Sequence, residues 1–323
     1  MNSPSISVVL PTYNRWMYLP RMLDSLLEQE FRDFEILLIN NGSIDDGKTD
    51  EICCAYSEKS SAIRVFSIAE NQGPAPARNL GIQESTGEYL IHLDDDDYCE
   101  PNHLKLLHQL IVQQQADVAI SGSVHETNGL IEPNHVYEGT YVWNRAETVS
   151  EFLKREKFNT GSQTKLYRRR LYDGIRYVPG KIIDDIHVTY RLLANINKAV
   201  AHGIPTYRFC KHTNNTTSFL EQDIVWPELL DEYLAMQLDR VAYISEHVPE
   251  ECKHVRYAAW SYMISMVEKI HHGRGKGCEK QLDIMKVELL THAEEFLHAP
   301  WITEREQKLM NALVLNEQNG GNP

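Results

Sequence analysis

The chain has 323 residues, 42% of them hydrophobic and 24% charged, with a formal net charge of −14. That length suits one large domain or two ordinary ones, and that composition suits a packed core. The acidic balance repels phosphate backbones and excludes general nucleic-acid binding. Cys53, Cys54, Cys99, Cys210, Cys252 and Cys278 show no C-x-x-C spacing. Neither a zinc site nor a disulfide framework is predicted, and reduced thiols in a cytoplasmic protein are expected. Residues 1–15 carry no signal-peptide pattern. No stretch approaches the ~18 apolar residues that span a bilayer, so no transmembrane segment is predicted.

In chain order, "SISVVL" (5–10) is a short buried strand stopped by Pro11. Apolar residues at Leu19, Met22, Leu23, Leu26 and Leu27 have helical spacing. "FEILLIN" is a second strand, "TDEICCAYSEKS" a helix and "IRVFSI" a third strand. "PAPARNLGIQEST" is a helix opened by prolines, which suit first-turn positions. "EYLIHLDDDD" is a fourth strand, "PNHLKLLHQLIVQQQ" a helix and "ADVAISGSV" a fifth strand. Strands alternating with helices predict an α/β fold, a mostly parallel sheet with helices on both faces. Ligands of such sheets bind at the carboxyl ends of strands. From Trp226 onward three helical patterns follow with no evident strand, and a disordered tail is expected at 316–323.

Residues 42–49 spell G-x-x-x-x-G-K-T after an apolar run, the pattern of a phosphate-binding P-loop. Asp45 and Asp46 inside the loop argue against it. They would face a triphosphate with like charge, at several kcal/mol per close pair in a poorly screened site. A turn followed by a helix start, with Asp50 and Glu51 in the first turn, is the preferred reading. "LDDDDYCEP" (93–101) is the sharper signal. Four carboxylates at the end of a buried strand repel one another and are relieved by a hard divalent cation, Mg²⁺ or Mn²⁺. Mg²⁺ fills most of its shell with water and substrate phosphate oxygens, so the run predicts a metal–diphosphate site.

"SVVLPTYNR" (7–15), "EILLINNGSIDDG" (35–47), "NQGPAPARNLGI" (71–82) and "YLIHLDDDDYCEP" (89–101), in that order, resemble the family 2 nucleotide-sugar glycosyltransferases of the GT-A fold. "GKIIDDIHVTYRLL" (180–193) and "YRFCKHTNNTTS" (207–218) resemble that family's acidic motif and its closing strand and loop. The resemblance implies a GT-A (Rossmann-like) catalytic domain over 1–218, followed by a helical C-terminal region over 219–315. It implies an inverting, Mn²⁺- or Mg²⁺-dependent transfer of a sugar from a nucleotide-sugar donor, UDP-sugar favoured. The acceptor would be a glycan, lipid-linked or polymer hydroxyl.

It also implies roles for individual residues. Asp185 is the catalytic base. Asp96, with His212, is on the metal. Asp94 and Asp95 line the metal and ribose side. Pro11, Tyr13, Arg15, Asn41 and Arg78 contact the nucleotide-sugar. One departure matters: the family usually has two Asp where this chain has Asn40 and Asn41. The Asn41 amide oxygen can still accept the N3–H of uracil, but its NH₂ can also donate. dTDP- and GDP-sugars therefore stay in play. Peripheral membrane association and oligomerisation through the C-terminal helices stay open. The alternatives are a P-loop NTPase and a catalytically silent sugar-nucleotide-binding protein.

Overall fold

The computed structural model describes residues 3–212, 215 and 224–316. The chain divides into two compact units, Met1–Asn215 and Thr216–Pro323. Unit one is built on a ten-stranded sheet. Its strands are β1 (Ile6–Thr12), β2 (Phe34–Asn41), β3 (Ile63–Ile68), β4 (Tyr89–His92), β5 (Tyr98–Cys99), β6 (Val118–Thr127), β7 (Leu130–His135), β8 (Thr140–Asn144), β9 (Lys165–Arg168) and β10 (Lys198–Lys211). The helices between them are α1 (Leu19–Leu27), α2 (Lys48–Lys59), α3 (Pro74–Glu84), α4 (His103–Gln113), α5 (Arg145–Lys154) and α6 (Thr189–Ala194).

The strand order is β3-β2-β1-β4-β9-β6-β10-β5, with β7 on β6 and β8 on β10. β3, β2, β1 and β4 pair in parallel. This is the part predicted from the strand–helix alternation, and β2 is buried along its whole length, as a central parallel strand requires. Beyond it the sheet is mixed. β9 enters antiparallel between β4 and β6, while β6 and β10 pair in parallel. A four-residue strand without alternation carries no periodic signal, which is why β9 was not legible.

Two boundaries differ from the sequence reading. β1 does not stop at Pro11 but runs to Thr12. The Val9 carbonyl accepts from Leu93 N–H on the β4 side, so Pro11, two residues on, faces the same side. β4 has ended there, so the missing N–H costs no ladder bond. β4 itself ends at His92, and the four aspartates form a turn. Carboxylates at neighbouring positions cannot all be buried in a ladder, and a turn fans them to different partners.

α3 lies close on β1. A Cβ at Gly81 would fall 2.2 Å from a Val9 methyl, so the helix approaches because that residue has no side chain. The core gathers Ile6, Val8 and Leu10 of β1, Ile36 and Leu38 of β2, and Leu19, Met22, Leu23 and Leu26 of α1. The second unit is helical: α7 (Pro227–His247), α8 (Cys252–His271), α9 (Glu279–Thr291), α10 (Ala293–Leu297) and α11 (Glu304–Met310). Among the described residues no helix is long and apolar enough to cross a membrane.

Candidate active site

Three loops meet at the carboxyl ends of β1, β2 and β4. The β1–α1 and β2–α2 loops are tied together: Asn14 N–H donates to Ser43 Oγ at 3.0 Å, and Asn14 Oδ1 accepts from Ile44 N–H at 2.8 Å. Asn14 takes φ 53 to do so, a left-handed conformation that Asn tolerates. Tyr13, half-buried, and Arg15 flank it; Pro11 lies just before, inside β1.

The P-loop pattern is engaged in its own structure. Asp45 Oδ2 accepts from the Thr49 hydroxyl at 2.5 Å, and its Oδ1 accepts from Thr49 N–H at 3.3 Å. Lys48 Nζ sits 4.7 Å over the Trp16 ring. A carboxylate of the loop thus stands at the start of α2, where an NTPase would bind phosphate.

The Asn40–Asn41 pair splits into two jobs. Asn40 Oδ1 accepts from Ser43 N–H and Oγ–H, and its Nδ2 donates to Asp50, so it is spent inside the loop. Asn41 Nδ2 donates to Asn71 Oδ1 at 3.2 Å and to Gly73 O at 2.8 Å. Two acceptors on one side fix the amide orientation. Asn41 Oδ1 is buried with no hydrogen-bond partner. The donor face is therefore occupied and an acceptor is left over. Gly42 follows at φ 70, and a Cβ there would fall 2.6 Å from Asn71 N.

The four aspartates go four ways. Asp97 is buried and accepts from Tyr207 O–H at 2.8 Å and Cys210 N–H at 2.7 Å, latching the turn to β10. Asp94 accepts from Arg78 Nη2 at 2.8 Å and from Gln163 Nε2. Asp95 and Asp96 face Arg15, at 3.9 and 3.7 Å. Burial first, and Asp96 next, push the Asp95 carboxyl up to about 8. Burial and the neighbouring Asp94 raise Asp96, against Arg15 and His212.

Asp96 Oδ2 lies 3.2 Å from His212 Nε2. Asn215 Nδ2 is 3.1 Å from the same carboxylate oxygen. His212 stacks on Tyr18 with centroids 4.2 Å apart, and burial lowers its pKa, which favours the neutral imidazole, the form that ligates metals. Residues 213, 214 and 216–218 of the closing motif lie outside the described residues.

A divalent ion fits this pair. The pair offers a carboxylate oxygen and an imidazole nitrogen 3.2 Å apart, both donor types that Mn²⁺ accepts. Among the described residues no group of three His, Cys, Asp or Glu forms a complete metal cage.

Arg78 connects this turn to the second acidic motif. Buried in α3, it bonds Asp94 through Nη2 and Asp184 through Nε at 2.7 Å. Burial alone would lower its pKa, but the two carboxylates raise it well above the ordinary value. Asp184 flanks and Asp185 opens a short 3₁₀ turn, Asp185–His187, and the Asp184 side chain makes no capping hydrogen bond to it. Asp185 is half-buried, and its Oδ1 has no hydrogen-bond partner. Burial and Asp184 push its carboxyl up to about 7, against Arg78 and Lys165.

Sequence reasoning missed Gln163, Lys165, Tyr177, Tyr207 and Asn215. Lys165 is fully buried on β9, donates to Gly161 O, and burial brings its ammonium down to about 7. A lone Lys inside "TKLYRR" gives no sign of burial; only the placing of β9 beside β4 does.

Residues 7–176 match Glycosyl transferase family 2. The chain belongs to that family. Among curated relatives, Glycosyltransferase GlyA of Streptococcus pneumoniae is 29% identical over 203 residues, 60% of this chain but only 29% of its own length. Among solved structures, Staphylococcus aureus TarS 1–349 in complex with UDP-GlcNAc superposes with a TM-score of 0.64 at 18% identity. It covers 98% of this chain and 92% of that one. The mannosyltransferase PcManGT from Pyrobaculum calidifontis, in complex with GDP-Man and Mn²⁺, gives a TM-score of 0.53 at 14% identity, over 99% and 89% of the chains. At these identities the superpositions establish the fold, GT-A, for this family 2 member.

Proposed function

We propose that this glycosyltransferase is inverting and divalent-metal dependent, and moves a sugar from a UDP-sugar to a hydroxyl of a glycan, lipid-linked or polymer acceptor. The observation that carries the reading is the Arg78 bridge. One guanidinium holds the aspartate turn on one side and the Asp184–Asp185 pair on the other. A cation-holding face and an ionisable carboxyl thereby stand on either side of one residue, as in-line displacement of a diphosphate requires.

The donor side follows from the loops. The leftover Asn41 acceptor oxygen matches the N3–H of uracil. Thymine and guanine present a comparable donor, so the nucleotide panel below includes both. UDP-GlcNAc is the first donor to test, because the TarS neighbour was solved with it. Tyr13 and Pro11 flank the base, and Arg15 faces the diphosphate beside Asp95 and Asp96. Asp96 and His212 would hold Mn²⁺ or Mg²⁺, whose chemistry is to neutralise charge developing on the leaving diphosphate. The same kind of ion is present in the PcManGT neighbour.

The acceptor side rests on Asp185. Its carboxyl lies near neutrality, and Oδ1 is uncommitted. Such a group can accept the acceptor hydroxyl's proton as the new C–O bond forms, which is the work of a general base. Asp184 is instead engaged with Arg78, whose Nε donates to its Oδ2. Two adjacent carboxyls thus receive different tasks from their partners. Catalysis is assigned to residues 1–218, and the helices α7–α11 belong to the second unit.

A thermal-shift panel of UDP, UDP-GlcNAc, dTDP, GDP and ATP, with and without Mn²⁺, tests the reading. Stabilisation by UDP and UDP-GlcNAc that depends on Mn²⁺ is expected. Stabilisation by ATP alone would restore the NTPase alternative; a larger effect of GDP or dTDP would overturn the uridine assignment.

A further inference from the structure

Arg78 is a cation shared by two carboxylates, Asp94 and Asp184. Asp185 stays outside that bridge, with its Oδ1 buried and without a hydrogen-bond partner. A second cation, Lys165, is fully buried on the same face of the sheet.

The pleat of the sheet places it there. β4 and β9 pair antiparallel, Tyr89 with Arg168 and Leu90 with Tyr167. Continuing that register sets Lys165 opposite His92, at the carboxyl end of β4, and opposed residues point to one face. Leu166, between Lys165 and Tyr167, points to the other face and joins the core of Ile91 and Leu104. The His92 ring lies 5.1 Å from the Tyr177 ring, and the Tyr177 ring lies 5.6 Å from the Arg78 guanidinium. Asn79 of α3 holds Tyr177 there by pairing with its backbone N–H and carbonyl. Lys165 therefore points to the face that carries Arg78 and the Asp184–Asp185 pair.

The loop before β9 joins the lysine to the second acidic motif. Lys165 Nζ donates to Gly161 O. The neighbouring carbonyl, Thr160 O, accepts from Thr189 Oγ at 2.7 Å, and Thr189 opens α6 just after the Asp185 turn. Lysine and base-bearing turn thus hold adjacent carbonyls of one loop.

A buried ammonium with a carbonyl partner is costly unless an anion lies near. Burial lowers Lys165, and the Asp185 charge opposes this. The influence is mutual: burial, Asp184 and Asp94 raise Asp185, while Arg78 and Lys165 oppose them. Tyr167 of β9 and Tyr177 also lie within reach of the Asp185 charge. His135 of β7 lies within reach of the Lys165 charge.

We propose that Lys165 is the counter-ion of the base: its buried ammonium holds the Asp185 carboxyl in the ionised, proton-accepting form near neutral pH. The proposal rests on the assignment of Asp185 as the base. Lys165 acts through Asp185 and not on the substrate. Burial brings its ammonium down to about 7, so its help is present below that pH and fades above it. Without the cation, Asp185 keeps its proton to higher pH.

The test uses the full chain with Lys165→Met, Lys165→Gln and, as reference, Asp185→Asn. Met fills the space without charge, an exchange that buried ion pairs often tolerate. Gln has no charge but can still donate to Gly161 O, and it serves the same readouts if Lys165→Met does not fold. The first readout needs no substrate. It is a carboxyl carbon NMR titration of aspartate-labelled protein, in which the resonance missing from Asp185→Asn identifies Asp185. The second is Mn²⁺-dependent UDP release from UDP-GlcNAc, with water as acceptor, at pH 6 and pH 8.5. The ratio of variant to wild type cancels the pH dependence of metal binding, which both share.

The Asp185 midpoint should rise by about 1 pH unit or more in both variants, the shift that an opposite charge nearby produces. Release should fall about 10-fold below wild type at pH 6 and come within about twofold of it at pH 8.5. UDP affinity should stay within about twofold, since the donor-facing residues are untouched.

An Asp185 midpoint that stays in place in both variants overturns the proposal. So does release that falls by the same factor at both pH values, which marks a purely structural lysine. Asp185→Asn separates the two possible failures. If it releases UDP at the wild-type rate, the base assignment falls and the proposal with it. If it is inactive while the lysine variants keep the wild-type midpoint, only the proposal falls.

Discussion

Replacing Asp185 with Asn should damage activity and improve stability, and both signs follow from one environment. Asn is nearly isosteric and fits the same turn, but it cannot take a proton. Removing a general base typically costs about 10²–10⁴-fold in kcat. The stability change comes from linkage. The Asp185 carboxyl is raised from 3.8 to about 7 by burial and by Asp184. A raised carboxyl binds its proton more tightly folded than unfolded. Its ionisation therefore costs nothing below about pH 4, costs progressively more as pH rises, and costs the full amount above about pH 7. Taken at face value that amount is about 4 kcal/mol. Solvent access to the half-buried side chain and coupling to Asp184 reduce it to about 2 kcal/mol. For a unit of this size, about 2 kcal/mol corresponds to about 4–8 °C in Tm. Thermal melts of wild type and Asp185→Asn at pH 5 and pH 8, with sugar transfer measured in parallel, check both signs. The variant should melt higher at pH 8, with a smaller gain at pH 5. A gain equal at both pH values, or a lower Tm at pH 8, would refute the electrostatic account. Wild-type transfer by the variant would move the base elsewhere, with Asp184 next in line.

Asp96→Ala is expected to abolish turnover together with the Mn²⁺-dependent part of UDP affinity; calorimetry that finds this part intact would remove Asp96 from the metal. Lys48→Ala should leave transfer within a few-fold of wild type, because Lys48 packs on Trp16 and Asp45 holds the start of α2; complete loss in a folded variant would contradict that. Gly42→Ala should lower both Tm and UDP affinity. Its φ of 70 disfavours a side chain by about 1–2 kcal/mol, and the new Cβ would press on the backbone at Asn71, which receives the Asn41 amide. A melt within about 1 °C of wild type would show that the loop yields freely.

The sequence by itself determined the strand–helix alternation from β1 to β4 and on through α4 to β6, without the two-residue β5, together with the order of the motifs and the family. These depend on periodicity and on residues adjacent in the chain, and β2 and α3 show it: an unbroken apolar run and a proline-opened helix declare themselves locally. The same locality explains why Asp94, Asp95, Asp96 and Asp97 could be seen as a group but not told apart. Their separate tasks depend on partners far along the chain: Arg78 for Asp94, Arg15 for Asp95 and Asp96, Tyr207 and Cys210 for Asp97. The free end of Asn41 was likewise undecided until Asn71 and Gly73 took its NH₂ group. The depth of Lys165, the grip of Asn79 on Tyr177 and the antiparallel entry of β9 were settled only by tertiary structure. A side chain's charge state and hydrogen-bond role are set by what surrounds it within a few ångströms, and at this site those neighbours lie as much as 119 residues away in the chain.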